Sequence, residues 1–246
     1  MSAPSAGKTA AVSGAGTPGN LLLGAGHDFR NALTGLGFAA ETAEAELLHG
    51  RLDRGLHFVR RIQSGIQRTH RQLSDLLLAQ RLQSGLWPVG RRPVALRDLA
   101  DRVLAHVESE SERQRVQVTV KGTGLMELDG DLVELLVRPL VVNALQFSVV
   151  PSVVEVHWIG GVAGLEIQVM DRGCGVPEAE RGRLFQPFVC LQTAAGVAGG
   201  GLGLGLFIAR TAAHALGGTA DLAARPGGGV IVRVALPGPV SKGADA

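Results

Sequence analysis

The chain has 246 residues, of which 46% are hydrophobic, and its 24 basic residues nearly balance 22 acidic ones. This length allows one large domain or two small ones, and the balanced charge argues against a nucleic-acid binder that relies on electrostatic attraction. The two cysteines, Cys174 and Cys190, have no metal-ligand spacing, and the sequence shows no signal peptide and no apolar run long enough to span a bilayer. We therefore expect a cytoplasmic protein without a membrane span.

The first part of the chain has the pattern of two helices. Residues 1–18 are rich in small and polar residues and are predicted to be disordered, and a heptad pattern then runs over residues 19–86. Its first apolar seam consists of Phe29, Leu33, Leu36, Ala40, Ala43 and Leu47. After a break at residues 50–55, its second seam consists of Val59, Ile62, Ile66, Thr69, Leu73 and Leu76.

Two such seams predict an antiparallel helical hairpin. A hairpin alone cannot bury both of its apolar stripes, whereas two copies can bury them in a four-helix bundle, so we expect a homodimer. The alternative is a hairpin whose stripes pack against the rest of its own chain.

Residues 87–94 are predicted to be a linker, and residues 95–237 mix helices and strands without a regular βαβ repeat, which favours an α+β two-layer sandwich. Helices are predicted at residues 96–111, 131–148 and 202–216, and strands at residues 115–120, 153–159, 165–170 and 230–236. Residues 238–246 are expected to form a flexible tail.

The first helix carries a histidine in a distinctive setting. His27 lies off the apolar seam, Asp28 is adjacent to it, and Asn31 follows one turn later on the same face. An exposed imidazole beside a carboxylate can act as a nucleophile, because the carboxylate orients the ring and takes up its proton. Taken alone, an exposed helical histidine is more often simply solvated.

Two glycine-rich motifs lie in the second half. In the first, Asp171, Gly173 and Gly175 follow a predicted strand, where a carboxylate can accept a hydrogen bond from an exocyclic amine such as that of adenine. In the second, glycines at residues 199–205 open a predicted helix, where free backbone N–H groups can bind phosphates. This is not a Walker loop, because no Lys-Ser/Thr pair follows it. Flexible loops and tight turns are the usual alternative for such glycines.

One polar side chain interrupts the apolar helix predicted at residues 131–148. Asn143 lies near the end of this helix, with Phe147 one turn later. Its amide oxygen could bind a Mg²⁺ ion that bridges nucleotide phosphates, or its amide could bond to backbone groups.

These motifs occur in a characteristic order along residues 20–237. They are His-Asp-x-x-Asn at 27–31, Asn-Ala at 143–144, Asp-x-Gly-x-Gly at 171–175, Leu-Phe-Gln-Pro-Phe at 184–188 and Gly-Leu-Gly-Leu at 201–204. The series resembles the H, N, first glycine, F and second glycine boxes of sensor histidine kinases. The resemblance implies a sandwich of the GHKL ATPase type behind the hairpin.

The resemblance also implies a role for each residue. His27 would accept the γ-phosphoryl group of ATP, Asp28 would be its general base, and Asn31 would assist dephosphorylation of a response regulator. Asn143 would bind Mg²⁺, and residues 189–199 would form a mobile lid. The implied nucleotide-binding residues are Asn143, Phe147, Asp171, Gly173, Gly175, Phe185, Phe188, Gly199, Gly201, Leu202, Gly203 and Leu204. The implied partners are a second copy, a receiver domain and, as one source of the signal, a separate sensor protein.

Several positions depart from the family pattern. Ala32 stands where the H box has proline, Pro139 stands where the N box has its first asparagine, and Gln146 stands where a basic residue is common. The expected lid has no Lys or Arg. Fewer cations beside a triphosphate weaken the stabilisation of its transition state, so nucleotide binding is the firmer expectation than fast autophosphorylation.

Three alternatives remain open from the sequence. The first is a histidine phosphotransfer scaffold with a weak or degenerate ATPase domain. The second is another GHKL protein, such as a serine kinase or a chaperone-type ATPase. The third is a dimerisation module joined to a non-catalytic sandwich that binds partners.

Overall fold

The computed structural model describes residues 20–85, 87–107, 109–122, 125–193, 196–197 and 201–238. The expected disordered segment at 1–18 and residues 239–246 of the expected tail lie outside these ranges. The first described elements are two long helices, α1 (Asn20–Leu48) and α2 (Leu52–Gln83), which form the predicted antiparallel hairpin. None of the described helices is long and apolar enough to cross a bilayer.

Two glycines let the helices of the hairpin approach each other closely. A Cβ atom at Gly65 would lie 2.5 Å from the Leu36 side chain, and one at Gly55 would lie 2.4 Å from the Leu47 side chain. Both contacts are too short for a real side chain, so these positions require glycine or a shift of the neighbouring leucine. They also fix the antiparallel register of the two helices.

The predicted seams divide into two stripes in the folded hairpin. Leu36 and Ala43 face α2, and Ala43 is buried. Leu33 and Leu73, by contrast, are 61% and 46% exposed. The heptad pattern therefore contains an inner stripe that joins the two helices and an outer stripe that the single chain leaves uncovered.

The second part of the chain is an α+β sandwich, as predicted. Its helices are α3 (Leu96–Ala105), α4 (Glu110–Arg113), α5 (Gly130–Phe147), α6 (Glu178–Arg181) and α7 (Gly205–Ala215), with a 3-10 turn at Arg183–Phe185. Its strands are β1 (Arg92–Ala95), β2 (Val116–Lys121), β3 (Leu125–Leu128), β4 (Val154–Gly161), β5 (Gly164–Met170), β6 (Gln192–Thr193), β7 (Gly196–Val197), β8 (Thr219–Ala224) and β9 (Val230–Pro237).

Five strands form the main sheet in the order β2-β4-β5-β9-β8, with β2 and β4 parallel and the other pairs antiparallel. Alternate residues of β4, such as Val156 and Trp158, are fully buried because side chains of a strand point to opposite faces. Helices α3, α5 and α7 cover this apolar face, which places the C-terminal end of β5 beside the end of α5.

The structure corrects several predicted elements. The helix predicted at 96–111 ends at Ala105, and Ser109 starts the separate helix α4 by accepting a hydrogen bond from the Glu112 N–H. The helix predicted from residue 202 begins at Gly205, since Gly203 has a left-handed backbone with φ 66°. Strands β1, β3, β6, β7 and β8 were not predicted, and β1 occupies the end of the expected linker, where it pairs with β3.

Candidate functional site

Asp171 lies directly after β5, at a point where the sheet continues into a loop. Its backbone N–H donates to the Val230 carbonyl at 3.0 Å, which extends the pairing of β5 with β9. Its Oδ1 atom accepts hydrogen bonds from the Gly173 N–H at 2.8 Å and the Val230 N–H at 3.2 Å. Burial raises the pKa of this carboxyl group, although these two N–H groups oppose the rise. Both bonds use Oδ1, so Oδ2 is the oxygen available to a ligand amine.

The glycines of the first box allow the loop to pass close to the end of α5. A Cβ atom at Gly173 would lie 2.5 Å from the Phe147 carbonyl oxygen, and Gly173 forms an isolated bridge with Ser148. Gly175 has a left-handed backbone with φ 76°. The two glycines therefore serve different purposes: the first permits close packing and the second permits a turn.

Replacing Gly173 by alanine should damage both folding and ligand binding. The added methyl group would overlap the Phe147 carbonyl, and forcing such overlaps typically costs about 1–3 kcal/mol. We expect a lower free energy of unfolding and weaker nucleotide binding, measured by chemical denaturation and calorimetry. Gly182→Ala is the matched control, because nothing lies within 4 Å of its Cβ position. Equal behaviour of the two variants would contradict this description of the loop.

The F box and the second glycine box pack against each other. Phe188 has a left-handed backbone with φ 63°, and its N–H donates to the Gly203 carbonyl at 3.2 Å. A Cβ atom at Gly203 would lie 2.8 Å from the Val189 carbonyl oxygen. Phe185 is buried with the Arg210 guanidinium 5.3 Å above its ring, while Leu202 and Leu204 are buried in the core. These apolar side chains hold the loop in place from behind.

Asn143 faces the same loop from α5. A Cβ atom at Gly205 would lie 2.9 Å from the Asn143 amide nitrogen, so a residue larger than glycine at the start of α7 would meet the amide. Pro139 lies one turn earlier, inside α5, and the helix continues through it. The departure at Pro139 therefore does not remove Asn143 from its position.

One cavity joins these motifs. It lies between α5, the end of β5 and the beginning of α7, and Cys174, Cys190 and Gln146 also line it. The predicted site residues in its wall are Asn143, Phe147, Asp171, Gly173, Gly175, Gly201 and Gly203. Phe185, Phe188, Leu202 and Leu204 are not in this wall, and Gly199 lies outside the described residues. Among the described lining residues there is no Lys or Arg.

The cavity fits a Mg²⁺ ion that is held chiefly by a nucleotide. Such an ion typically takes only one or two protein ligands and draws the remainder from phosphate oxygens and water. Asn143 provides one amide group in the cavity wall, close to Gly205, where α7 begins. The residues present therefore suit a metal ion that arrives with its nucleotide.

His27 stands on the surface of α1, with 77% of its side chain exposed. The amide nitrogen of Asn31 lies 3.1 Å from the imidazole Nδ1, and the nearer carboxylate oxygen of Asp28 lies 3.9 Å from it. Nδ1 faces Asn31 and Asp28, so Nε2 is the ring nitrogen left for an incoming group, and it offers a lone pair when the ring proton is on Nδ1. The structure thus places these three residues together on α1, whereas the cavity is formed by α5, β5 and α7.

Sequence reasoning missed the residues that support Asp171 from the β8–β9 turn. A Cβ atom at Gly229 would lie 2.2 Å from the Asp171 carbonyl oxygen, and the Arg225 guanidinium donates to that oxygen at 3.2 Å. Arg225 also pairs with Glu155, and this hydrogen bond holds the pKa of Glu155 below its usual range. The run of three glycines before residue 230 was the one feature of the sequence that could have indicated a close backbone approach at this turn.

A histidine-bearing hairpin joined to an α+β sandwich with an aspartate-glycine cavity defines the class of the protein. The model of the histidine kinase-, DNA gyrase B- and HSP90-like ATPases matches residues 128–240. The model of the His Kinase A (phospho-acceptor) domain matches residues 19–85. The chain therefore belongs to the sensor histidine kinases and contains both parts of their catalytic core.

Individual relatives agree with this assignment. The sensor protein CutS of Streptomyces coelicolor is 32% identical over 177 residues, which cover 70% of this chain and 41% of CutS. The signal transduction histidine-protein kinase BarA of Escherichia coli is 27% identical over 217 residues, which cover 85% of this chain and 23% of BarA. The chain thus spans less than half the length of these curated relatives.

The fold is also that of a solved histidine kinase. The structure of AdeS from Acinetobacter baumannii superposes with a TM-score of 0.65 at 15% identity, covering 87% of this chain and 98% of AdeS. This likeness shows that the hairpin and the sandwich occur together in one fold.

Proposed function

We propose that this chain is the catalytic core of an ATP-dependent protein histidine kinase that phosphorylates His27. Residues 19–86 would be the phosphotransfer hairpin and residues 95–237 the ATP-binding domain, joined by the linker at 87–94. One observation carries the proposal: a single cavity gathers Asp171, Asn143 and both glycine boxes in a chain whose hairpin exposes His27 beside Asn31.

The cavity residues would hold ATP by its two ends. Asp171 Oδ2 would accept a hydrogen bond from the adenine amine, while Phe147 and Gly175 would contact the flat ring. The backbone of Gly201 and Gly203 and the beginning of α7 would face the phosphates, since the N-terminal end of a helix attracts negative charge. Mg²⁺, when bound through Asn143, would neutralise charge on the phosphates.

His27 would then act as the nucleophile. Its Nε2 lone pair forms a bond to the γ-phosphorus of ATP, the bond from that phosphorus to the β–γ bridging oxygen breaks, and ADP leaves. In the tautomer that attacks through Nε2, the ring proton is on Nδ1, 3.9 Å from the Asp28 carboxylate, which accepts it as the bond to phosphorus forms, and the Asn31 side chain lies beside the same nitrogen. The phosphoryl group would pass from His27 to an aspartate on the receiver domain of a response regulator.

The outer stripe of the hairpin supports a homodimer. It runs along both helices, and its exposed members include Leu33, Leu52, Leu56, Ile66, Leu73 and Leu77. Two copies that pair these stripes would complete a four-helix bundle. Because ATP is the substrate, we place the core on the cytoplasmic side of the cell, with its signal supplied by a sensor part or a separate sensor protein.

Incubation with γ-labelled ATP and Mg²⁺ tests the proposed function. Wild-type protein should acquire a label that is stable in alkali and labile in acid, as expected for phosphohistidine, and His27→Ala should acquire none. His49→Ala is a matched control, because His49 is also an exposed histidine of the hairpin. An acid-stable label, or a label that persists in His27→Ala, would show a different kind of kinase.

A further inference from the structure

The hairpin contacts the sandwich of its own chain near the C-terminal end of α2. Leu76, Ala79 and Leu82 are buried there, and α2 packs against α7. An ion pair crosses this contact: the Arg138 guanidinium of α5 donates to the Asp75 carboxylate of α2 at 3.0 Å. Both side chains are only 27–29% exposed.

The ion pair lies at the level of His27 along the hairpin. The glycine contacts fix the antiparallel register, because Gly55 faces Leu47 and Gly65 faces Leu36. The residue numbers of these two facing pairs sum to 102 and 101, so Asp75 lies opposite the segment at Gly26 and His27. The sandwich is therefore seated on the same turn of the hairpin that carries the histidine.

Arg138, the other member of the ion pair, lies on the helix that carries Asn143 of the nucleotide cavity. Arg138 precedes Asn143 by five residues on the continuous helix α5, which corresponds to an axial distance of about 7.5 Å. Burial raises the pKa of the Cys190 thiol in the cavity wall, and the charge of Asp28, in the H box, raises it further.

The ion pair between Asp75 and Arg138 is better suited to fixing the orientation of the two domains than to holding them together. Burial raises the pKa of Asp75 even though the adjacent Arg138 opposes the rise, so removing this carboxylate from water costs more than its partner returns. Such a pair adds little to the affinity of the two domains. It does specify one geometry, because a displaced domain would leave a partly buried charge unpaired.

We propose that Asp75 and Arg138 are a docking pair that seats the nucleotide-binding sandwich on the hairpin at the level of His27 and thereby sets the rate of phosphoryl transfer. This inference rests on the proposed kinase function. Neither residue lines the described cavity or belongs to the histidine face, so both are positioning residues. Their loss should slow transfer without weakening nucleotide binding.

Single-turnover labelling and nucleotide affinity separate these effects. For Asp75→Asn and Arg138→Gln we expect the rate constant of His27 labelling at saturating ATP to fall at least about tenfold, with the Kd for ADP unchanged within about twofold. The charge swap that combines Asp75→Arg with Arg138→Asp should recover most of the rate. Arg51→Gln is the matched control, because it breaks the ion pair with Glu46 at the opposite end of the hairpin.

Hydrogen–deuterium exchange provides a readout that does not depend on activity. Amides near residues 74–82 of α2 should exchange faster in both single variants and recover in the charge swap, because undocking exposes this segment. Unchanged labelling rates, faster labelling, or unchanged exchange would each overturn the docking pair. If wild-type protein binds ADP but never labels His27, the kinase proposal fails, whereas the exchange data still decide whether the pair docks the domains.

Discussion

Asp171→Ala should reduce nucleotide affinity at least about 100-fold. The substitution removes the proposed acceptor for the adenine amine, and a hydrogen bond to a charged group contributes about 1.5–3 kcal/mol. It also leaves the N–H groups of Gly173 and Val230 without the Oδ1 atom that now accepts from both. The loop would then lose the bonds that shape the cavity, which adds to the direct loss.

Calorimetric titration with ADP measures this effect. Asp221→Ala is a matched control, because Asp221 is an exposed aspartate of the same sheet on β8 and should bind ADP like the wild type. The carboxylate of Asp171 would have no role in recognition if Asp171→Ala bound ADP within a few-fold of the wild-type affinity.

Leu73→Glu should convert the proposed dimer into a monomer while leaving the nucleotide cavity intact. Leu73 lies on the outer stripe of the hairpin with 46% of its surface exposed. In a four-helix bundle the substitution would remove this apolar contact from both copies. It would also introduce a carboxylate in each copy that must be desolvated for the dimer to form. Since full burial of one leucine contributes about 1.5–3 kcal/mol, we expect the dissociation constant of the dimer to rise on the order of 100-fold.

Sedimentation or light scattering across a range of concentrations follows this change. Ser64→Glu adds the same charge at an exposed polar position of α2 and should leave the dimer intact. A wild-type chain that is monomeric at all concentrations would overturn the homodimer, and a Leu73→Glu dimer of unchanged stability would place the interface elsewhere.

The sequence predicted those helices and strands whose apolar residues recur at regular spacing within the element itself. The heptad of α1 and α2 follows from side-chain spacing, and β4 and β5 follow from alternation around their buried residues. The start of α7 was missed because its apolar pattern extends back to Leu202, while the left-handed backbone of Gly203 delays the start of the helix to Gly205. Strand β1 pairs with β3, which lies beyond α3, α4 and β2 along the chain, and β8 (Thr219–Ala224) has few strongly apolar residues of its own.

The candidate site was predicted only as far as its residues occur in short motifs. The residues that support Asp171 are distant in sequence: the Val230 N–H donates from 59 residues away, and Arg225 pairs with Glu155 across 70 residues. A backbone N–H has no sequence signature, and no spacing rule connects such pairs. The same reason kept Asp75 and Arg138, 63 residues apart, from being recognised as a pair.

Peptide mapping of phosphohistidine tests the central claim most directly, because it joins the cavity to the hairpin in one experiment. After incubation with ATP and Mg²⁺, mass spectrometry under alkaline conditions should find the phosphoryl group on His27 in wild-type protein and on no histidine in Asp171→Ala. Phosphorylation of His27 that is equally strong in Asp171→Ala, or a wild-type phosphoryl group found only at other residues, would contradict the account.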